Sequence, residues 1–201
     1  MKKKIAHLRR RDPVLRKVID RIKLRTLGAR EGHFKSLVEA IISQQLSGKA
    51  AATITKRFKE LFPRKSFPGP QDVLRMPRVK IRRAGLSAMK VSFLKDLSRR
   101  ALNKSLDLRK IGQWSDEEVV AHLVRVRGIG RWTAEMFLMF SLRRDDVFSY
   151  GDLGLRNAMK KLYGLKSHPT EAQAEKISSK WKPYRTWGSR YLWASLGEKD
   201  A

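Results

Sequence analysis

The sequence predicts an all-α protein, on three observations. Apolar residues recur every three or four positions in one segment after another, which is the spacing of a helix with one buried face. No segment shows the sustained alternation of apolar and polar residues that is typical of a half-buried strand. Several periodic segments follow a Ser or an Asp, which are favoured N-cap residues. At 201 residues, the chain suits one domain or two small subdomains that share a core.

The predicted helices follow one another closely along the chain. The first opens at Asp12-Pro13, a cap followed by proline at the first helical position. In the second, the apolar stripe from Phe34 to Ile42 leads to Gln45, a polar residue where an apolar one is due. We predict helices at residues 12–27, 33–45, 48–62, 71–76, 79–84, 87–103, 116–126, 131–142, 152–163 and 170–179, and a last one after Pro183.

The charge of the chain is far from balanced. It has 46 Lys and Arg against 19 Asp and Glu, a formal net charge of +27 and a pI near 11.0. This predicts an anionic polymer as partner, with nucleic acid as the first candidate. A general bias towards basic residues, or a solvated basic surface, is the alternative.

Several classes of protein are excluded or disfavoured by composition. The chain has no cysteine, which excludes disulfides, thiol catalysis, zinc–thiolate sites and cysteine-ligated iron–sulfur clusters. No apolar run approaches the roughly 18–20 residues of a membrane span, so we expect no membrane partner. Residues 1–11 are basic but lack the apolar core of a signal peptide. We predict a flexible basic arm there, ahead of a domain over residues 12–201, and a cytoplasmic, nucleoid-associated protein.

Two glycines one residue apart, Gly128 and Gly130, separate two of the predicted helices. Glycine permits a tight turn and a close approach of the backbone to a ligand. The first amide groups of the following helix point outwards at the positive end of its dipole, which suits a phosphate. An ordinary turn between helices is the alternative for an isolated Gly-x-Gly.

The segment LVRVRGIGRWTAEMFLMF, residues 123–140, resembles the helix–hairpin–helix of the DNA base-excision glycosylases. Further likenesses to this HhH-GPD superfamily extend the resemblance to about residues 12–196. Within the superfamily the pattern is similar to the 3-methyladenine DNA glycosylase II branch, in a compact form without the N-terminal β domain of some members. The resemblance implies two all-α subdomains, packed intimately around a cleft. The other similar segments are LVEAIISQQLSGKAAATI, RRAGLSAMKVSFLKDL, DDVFSYGDLGLRNAMKKLYG and WKPYRTWGSRYLW.

The resemblance implies roles for the hairpin. Its amides would hold one DNA phosphate, and its carbonyls a monovalent cation such as Na⁺ or K⁺, with no other cofactor required. Basic residues nearby would bind the DNA backbone. By match, Gly128, Gly130 and Thr133 hold the phosphate, the carbonyls of Val124, Val126 and Ile129 hold the cation, and Arg125, Arg127, Arg131 and Lys49 are candidates for the backbone.

Two positions indicate the chemistry. Lyase-type members carry a lysine two residues after the second hairpin glycine, where this chain has Trp132, so we expect a monofunctional enzyme. Asp152 matches the catalytic aspartate, although Tyr150-Gly151 stand where relatives often have proline and an acidic residue. An N-cap aspartate is the alternative interpretation of Asp152. Asp145 and Asp146 are interpreted as loop or cap residues.

The target base must leave the duplex, and aromatic rings hold a cationic base well. Trp132 and Trp193 match pocket aromatics, while Met136, Tyr150 and Trp187 are further candidates for the pocket, and core packing is the alternative for each aromatic. Gln45 matches the side chain that fills the gap in the base stack. Its alternatives are Gln44 or Leu46 in that role, or a buried glutamine that ties the turn.

The sequence therefore predicts a monomeric glycosylase that excises alkylated purines such as 3-methyladenine and 7-methylguanine from duplex DNA. A glycosylase for uracil, hypoxanthine or 8-oxoguanine is one alternative. A helix–hairpin–helix protein that binds DNA or lesions without chemistry is another.

Overall fold

The computed structural model describes residues 1–28 and 32–197. It is helical over those residues and has no strand in them, which confirms the all-α prediction. In chain order its α-helices are α1 (Lys2–Arg11), α2 (Pro13–Arg21), α3 (His33–Ser43), α4 (Gly48–Glu60), α5 (Pro70–Arg75), α6 (Arg78–Arg83), α7 (Ala88–Leu102), α8 (Asp116–Leu123), α9 (Arg131–Phe137), α10 (Leu153–Leu162), α11 (Glu171–Ser178) and α12 (Arg185–Leu196).

The chain divides into two compact units. The first combines Met1–Gly28 with Arg143–Ala201, and the second is Ala29–Leu142. Helices α1, α2 and α10 to α12 belong to the first unit, and α3 to α9 to the second. In the part of the chain that is described, no helix is both long enough and apolar enough to cross a membrane.

Helix α1 corrects one prediction, because the first eleven residues are not a flexible arm. Leu8 is fully buried in the core of the first unit, and Ile5 packs against that core. The side chain of Lys4 reaches Asp145, with Nζ 2.6 Å from Oδ1. The basic composition hid a short apolar stripe, since Ile5 and Leu8 are three residues apart and share one helix face.

A buried aspartate organises the first unit. Asp12 is 1% exposed and caps α2 by accepting hydrogen bonds from its first backbone N–H groups. Its Oδ2 accepts further bonds from Trp181 Nε1 at 2.8 Å and from the Tyr163 hydroxyl at 2.6 Å. Burial and the negative charge of Asp12 raise the pKa of Tyr163. These bonds hold the start of α2 against the rest of the unit.

Helix α7 organises the second unit through two lysines. Lys90 Nζ donates to the carbonyls of Ile42 and Gln44, at 2.7 and 2.6 Å, where α3 ends. Lys95 Nζ donates to carbonyls at the end of α5 in the same way. The last carbonyls of a helix have no partner within it, so such donors satisfy them. Burial lowers the pKa of both lysines.

Some predicted helices are longer than the observed ones. The helix predicted at 12–27 ends at Arg21, because Ile22 is extended with φ −105° and ψ 124°. The helix predicted at 116–126 ends at Leu123, where the hairpin begins. The helix predicted at 131–142 changes from α9 into a π-helical turn over Leu138–Leu142.

Candidate active site

The predicted site residues are distributed over both units of the chain. The first unit contains Asp152, Trp193, Tyr150 and Trp187. The second contains the hairpin residues, Lys49, Gln45, Trp132 and Met136.

Asp152 is the N-cap of α10 and is 9% exposed. Its Oδ1 accepts two hydrogen bonds, from the backbone N–H of Leu155 at 2.7 Å and from Trp193 Nε1 at 2.8 Å. The structure thus brings together two of the predicted site residues. The capping role, weighed above as an alternative, is observed, and it fixes the direction of a buried carboxylate. A catalytic role also requires a fixed carboxylate. That role is compatible with the capping role and stays a prediction.

Gly154 allows Trp193 to approach Asp152, a role that the sequence analysis missed. A Cβ atom at residue 154 would lie 3.0 Å from Asp152 Oδ1 and 3.1 Å from Trp193 Cδ1. Those distances are tighter than ordinary contacts between carbon and its neighbours. The Gly-Asp-Leu-Gly segment at residues 151–154 was the available signal for this close packing.

Trp187 lies in a polar network of the first unit. Its Nε1 donates to Asp145 Oδ1 at 2.8 Å, and the guanidinium of Arg190 lies 4.8 Å from its ring centroid. Asp146 accepts a bond from the backbone N–H of Arg185, the first residue of α12, at 3.0 Å. The interpretation of Asp145 and Asp146 as loop or cap residues therefore agrees with their contacts. The contacts of Trp187 are those of a packing residue, and its pocket role stays a prediction.

Tyr150 lies in the turn before Asp152 and is half-buried. Its ring centroid is 5.5 Å from the guanidinium carbon of Arg156, within the range of a cation–π contact. Its hydroxyl donates a long hydrogen bond, 3.4 Å, to the carbonyl of Pro169. These contacts orient the ring and do not show what it would bind.

Gly128 is indispensable to the shape of the hairpin between α8 and α9. Its φ of +82° is in the region that favours glycine, and a Cβ there would lie 2.1 Å from Phe93 Cδ2. Val126 and Ile129, on either side, are buried and anchor the hairpin in the core. The turn is therefore built on the side chain of Phe93 from α7.

Gly130 is the N-cap of α9, with extended backbone and no side chain to cap the helix. A Cβ there would meet nothing within 4 Å, so packing within the protein does not require glycine at this position. The side chain of Arg131 is 78% exposed, and its Nε donates to Glu135 Oε1 at 2.9 Å. Lys49 and Arg125 are also exposed.

Asp96 on α7 holds the backbone of the hairpin, which the sequence analysis also missed. Its Oδ2 accepts hydrogen bonds at 3.0 Å from the backbone N–H of Arg127 and from Arg100 Nε. Burial alone would raise the pKa of this carboxyl, but the bonds from Arg127 and Arg100 outweigh it and hold the pKa below its usual range. No short sequence pattern connects Asp96 with a residue 31 positions later.

The two glutamines after α3 have different environments. Gln44 Nε2 donates to the carbonyl of Gly128 at 2.7 Å and so ties the turn to the hairpin. Gln45 is exposed, with φ +56°. One alternative for Gln45 was a glutamine that ties the turn to the rest of the unit. The residue in that role is Gln44. Gln45 and its neighbour Leu46 are both exposed. The role of filling the gap in the base stack stays a prediction.

An apolar face follows the hairpin on α9. Trp132 is 49% exposed, and Met136, one helical turn later, is half-buried. Phe140, in the π-helical turn, is 40% exposed and continues the apolar surface beyond the residues that the sequence analysis named. Within residues 1–28 and 32–197, no group of three or more His, Asp or Glu side chains is placed to hold a metal ion.

Known proteins are similar to this chain over most of its length. The family model of the HhH-GPD superfamily base excision DNA repair proteins matches residues 38–183. The chain belongs to this superfamily. The predicted resemblance to this superfamily is thereby confirmed.

Relatives of this HhH-GPD protein include several named 3-methyladenine glycosylases. "DNA-3-methyladenine glycosylase 1" of Schizosaccharomyces pombe is 37% identical over 161 residues, covering 80% of this chain and 71% of that protein. "Putative DNA-3-methyladenine glycosylase YfjP" of Bacillus subtilis is 32% identical over 168 residues, covering 81% of this chain and 58% of that protein. The solved structure of the S. pombe 3-methyladenine DNA glycosylase (Mag1) in complex with abasic DNA has a TM-score of 0.87 and 33% identity, and the match covers 99% of this chain and 98% of that one.

Proposed function

We propose that this HhH-GPD protein is a monofunctional DNA glycosylase that hydrolyses the N-glycosidic bond of alkylated purines in duplex DNA and so initiates base excision repair. The names of the relatives support the substrate class. The similarity to a structure that holds abasic DNA supports the product. The observation that carries the proposal is the buried Asp152 carboxylate, fixed by Trp193 at 2.8 Å.

Asp152 is the proposed catalytic residue. Breaking the bond between base and sugar develops positive charge on the sugar, which a fixed carboxylate stabilises while it orients or deprotonates the attacking water. The bonds from Leu155 and Trp193 hold Oδ1 in place before the substrate arrives. An alkylated purine such as 3-methyladenine or 7-methylguanine already carries positive charge, so it leaves without a strong acid.

Trp132 occupies the position at which lyase-type members carry lysine. An indole has no amine to attack the sugar and form a Schiff base. No lysine occurs between Gly128 and Asp152. The proposed product is therefore an intact abasic site rather than a broken strand.

The hairpin is the proposed anchor for one DNA phosphate. Phe93 and Asp96 fix its backbone, which leaves the amides of Gly128, Gly130 and Thr133 as the proposed donors. Arg127 and Arg131 have exposed side chains nearby in the sequence, and Lys49 is exposed at the start of α4. We assign these cations to the neighbouring phosphates.

We assign the monovalent cation to the hairpin carbonyls of Val124, Val126 and Ile129, which are neutral oxygen donors. The N–H of Ile129 already donates to the carbonyl of Val126 at 3.0 Å, and a carbonyl oxygen has a second lone pair for a cation. A bound Na⁺ or K⁺ would add positive charge beside the phosphate amides. The proposed chemistry requires no other cofactor.

Trp132 and Trp193 are each proposed to contact the flipped base, and Met136 to add an apolar contact. A cationic base is attracted to aromatic faces by about 0.5–2 kcal/mol. Gln45 is assigned to the gap that the flipped base leaves, which agrees with its exposure at a turn fixed by Lys90 and Gln44.

The experiment that tests the proposal measures free-base release from methylated duplex DNA by chromatography. We expect release of 3-methyladenine or 7-methylguanine by the wild type, and a rate at least about a hundredfold lower for Asp152→Asn, because a preorganised charge is worth about that much. DNA binding should persist in the variant.

Asp12→Asn is a matched control for Asp152→Asn. Asp12 also caps a helix and also accepts a bond of 2.8 Å from a tryptophan Nε1, but it lies in the core and has no proposed chemistry. The control should lose stability and keep its rate per folded molecule. An equal loss of rate in both variants would assign Asp152 to structure alone.

The remaining outcomes distinguish the alternative functions. A wild type that releases uracil, hypoxanthine or 8-oxoguanine, and no alkylated purine, would change the substrate class. A wild type that binds DNA and releases no base from any lesion would be a binding protein without chemistry. Sedimentation of the protein with and without DNA tests the proposed monomer.

A further inference from the structure

Helices α1 and α2 of the first unit form a groove that is separate from every residue assigned above. It is open, has a volume of about 530 Å³, and is lined by Lys2, Ile5, Ala6, Arg9, Arg10 and Arg16. Four of these six side chains are basic and none is acidic. We call this set the α1 basic face.

Packing within the unit does not account for these charges. Six of the ten residues of α1 are Lys or Arg and none is acidic. Lys4 and Arg9 have carboxylate partners, Asp145 at 2.6 Å and Asp20 at 2.8 Å. Within the described residues, Lys2, Arg10 and Arg16 form no ion pair and are exposed.

The placement of Lys2 is unfavourable for the helix itself. Lys2 lies in the first turn of α1, where the positive end of the helix dipole repels a cation. A multivalent anion lying along the face would relieve that repulsion.

We propose that the α1 basic face binds the sugar–phosphate backbone of duplex DNA independently of any lesion, as an electrostatic contact in addition to the hairpin. The nine residues from Lys2 to Arg10 span about 12 Å of helix. That length corresponds to about three phosphate intervals of one strand, at roughly 3.4 Å each along the axis. Two guanidinium groups suit phosphate oxygens, and Ile5 with Ala6 offers an apolar floor to the sugars.

The inference rests on the proposed function in one respect, namely that duplex DNA is the substrate. It explains where part of the net charge of +27 acts. Contacts of this kind let a protein remain near DNA while it slides or hops between sites. The α1 basic face would then extend the search for a damaged base without contacting it.

The test compares two triple variants on undamaged duplex DNA. One is Lys2→Gln/Arg10→Gln/Arg16→Gln. The control, Lys166→Gln/Lys176→Gln/Lys180→Gln, removes three exposed lysines of the same unit and the same formal charge. Affinity is measured by fluorescence anisotropy between about 50 and 200 mM salt, where each lost phosphate contact lowers the slope of log K against log salt by about 0.9.

We expect the first variant to lower the slope by about two to three and the control to leave it within about 0.5 of the wild type. Single-turnover base release at saturating enzyme should stay within about twofold for both variants. An unchanged slope, or equal changes in both variants, would overturn the proposal.

The other outcomes separate this proposal from related ones. If the first variant keeps its DNA slope but loses binding to a polyglutamate peptide, the face binds acidic protein segments and the DNA proposal fails. Absence of base release by the wild type would overturn the proposed glycosylase function alone, because the slope measurement uses undamaged DNA.

Discussion

Trp193 donates its indole N–H to Oδ1 of Asp152 across 2.8 Å, from α12 to the N-cap of α10. The same chemistry occurs in the core, where Trp181 donates to Asp12 across 2.8 Å. One tryptophan–aspartate pair holds helices together and the other orients the candidate catalytic carboxylate. Trp193 is therefore a positioning residue as well as a candidate for the base pocket.

Trp193→Phe separates these two roles, because phenylalanine keeps an aromatic ring and loses the N–H. A hydrogen bond to a charged group is worth about 1.5–3 kcal/mol, so we expect single-turnover base release to slow about ten- to hundredfold. Affinity for an abasic duplex should be unchanged.

The matched control for this prediction is Trp181→Phe. It removes the corresponding bond to Asp12, and we expect it to lower the free energy of unfolding without changing the rate per folded molecule. A Trp193→Phe variant as fast as the wild type would show that the bond does not act on the reaction.

Gly128→Ala should destabilise the second unit. The added Cβ would lie 2.1 Å from the Phe93 ring, at a φ of +82°. Strain from overpacking and from left-handed backbone together predict a loss of about 2–4 kcal/mol in the free energy of unfolding, measured with urea.

Gly130→Ala is the matched comparison in the same hairpin. A Cβ at residue 130 meets nothing within 4 Å, so we expect a change in stability below about 1 kcal/mol. If the backbone of Gly130 approaches a phosphate, this variant should bind DNA more weakly while remaining folded. Equal destabilisation by both substitutions would contradict the role of Phe93.

Gln45→Ala and Gln44→Ala should have opposite signatures. Gln45 is exposed, so its loss should change the free energy of unfolding by less than about 0.5 kcal/mol. Base release should slow about three- to tenfold, because no side chain then fills the gap that the flipped base leaves in the stack. Gln44 bonds to the carbonyl of Gly128, so its loss should lower stability by about 0.5–1.5 kcal/mol.

Fluorescence of 2-aminopurine placed beside the lesion reports how much of the base is unstacked. We expect Gln45→Ala to reduce that signal at saturating protein and Gln44→Ala to reduce it less. The reverse order would move the gap-filling role to Gln44.

Helix periodicity predicted most of the fold because each helix buries one face. It missed α1, where six charged residues surround the pair Ile5 and Leu8 and leave only a narrow apolar stripe. It also extended the helix predicted at 116–126 into the hairpin, where Val126 is buried without being helical.

The candidate site was predicted less completely, since its residues are held by others far away in the sequence. The pattern singled out Gln45 by its polarity, yet polarity could not show that Gln44 turns inwards and Gln45 outwards. Phe93 and Asp96 support the hairpin from more than thirty residues upstream. Contacts between residues so far apart in the sequence cannot be predicted from the spacing of apolar residues along one helix.

Asp96 makes the stability of the hairpin depend on pH. Asp96 is 5% exposed, and the pKa of its carboxyl in the folded protein lies below the usual value of 3.8. A group with a lowered folded pKa stabilises the protein above the unfolded pKa, and that contribution is lost as the pH falls through the folded pKa. As the pH falls from about 5 to 3, wild-type stability should therefore fall in part, because Asp96 takes up a proton in the unfolded chain before it does so in the folded protein.

Asp96→Asn tests this dependence by urea unfolding across that range. We expect the variant to be less stable than the wild type by about 1–3 kcal/mol near neutral pH, and the difference to shrink below about pH 4. Glu60→Gln, which changes an exposed carboxylate at the end of α4, should parallel the wild type within about 0.5 kcal/mol. A difference between wild type and Asp96→Asn that stays constant down to pH 3 would show that the bond to Arg127 acts through shape rather than charge.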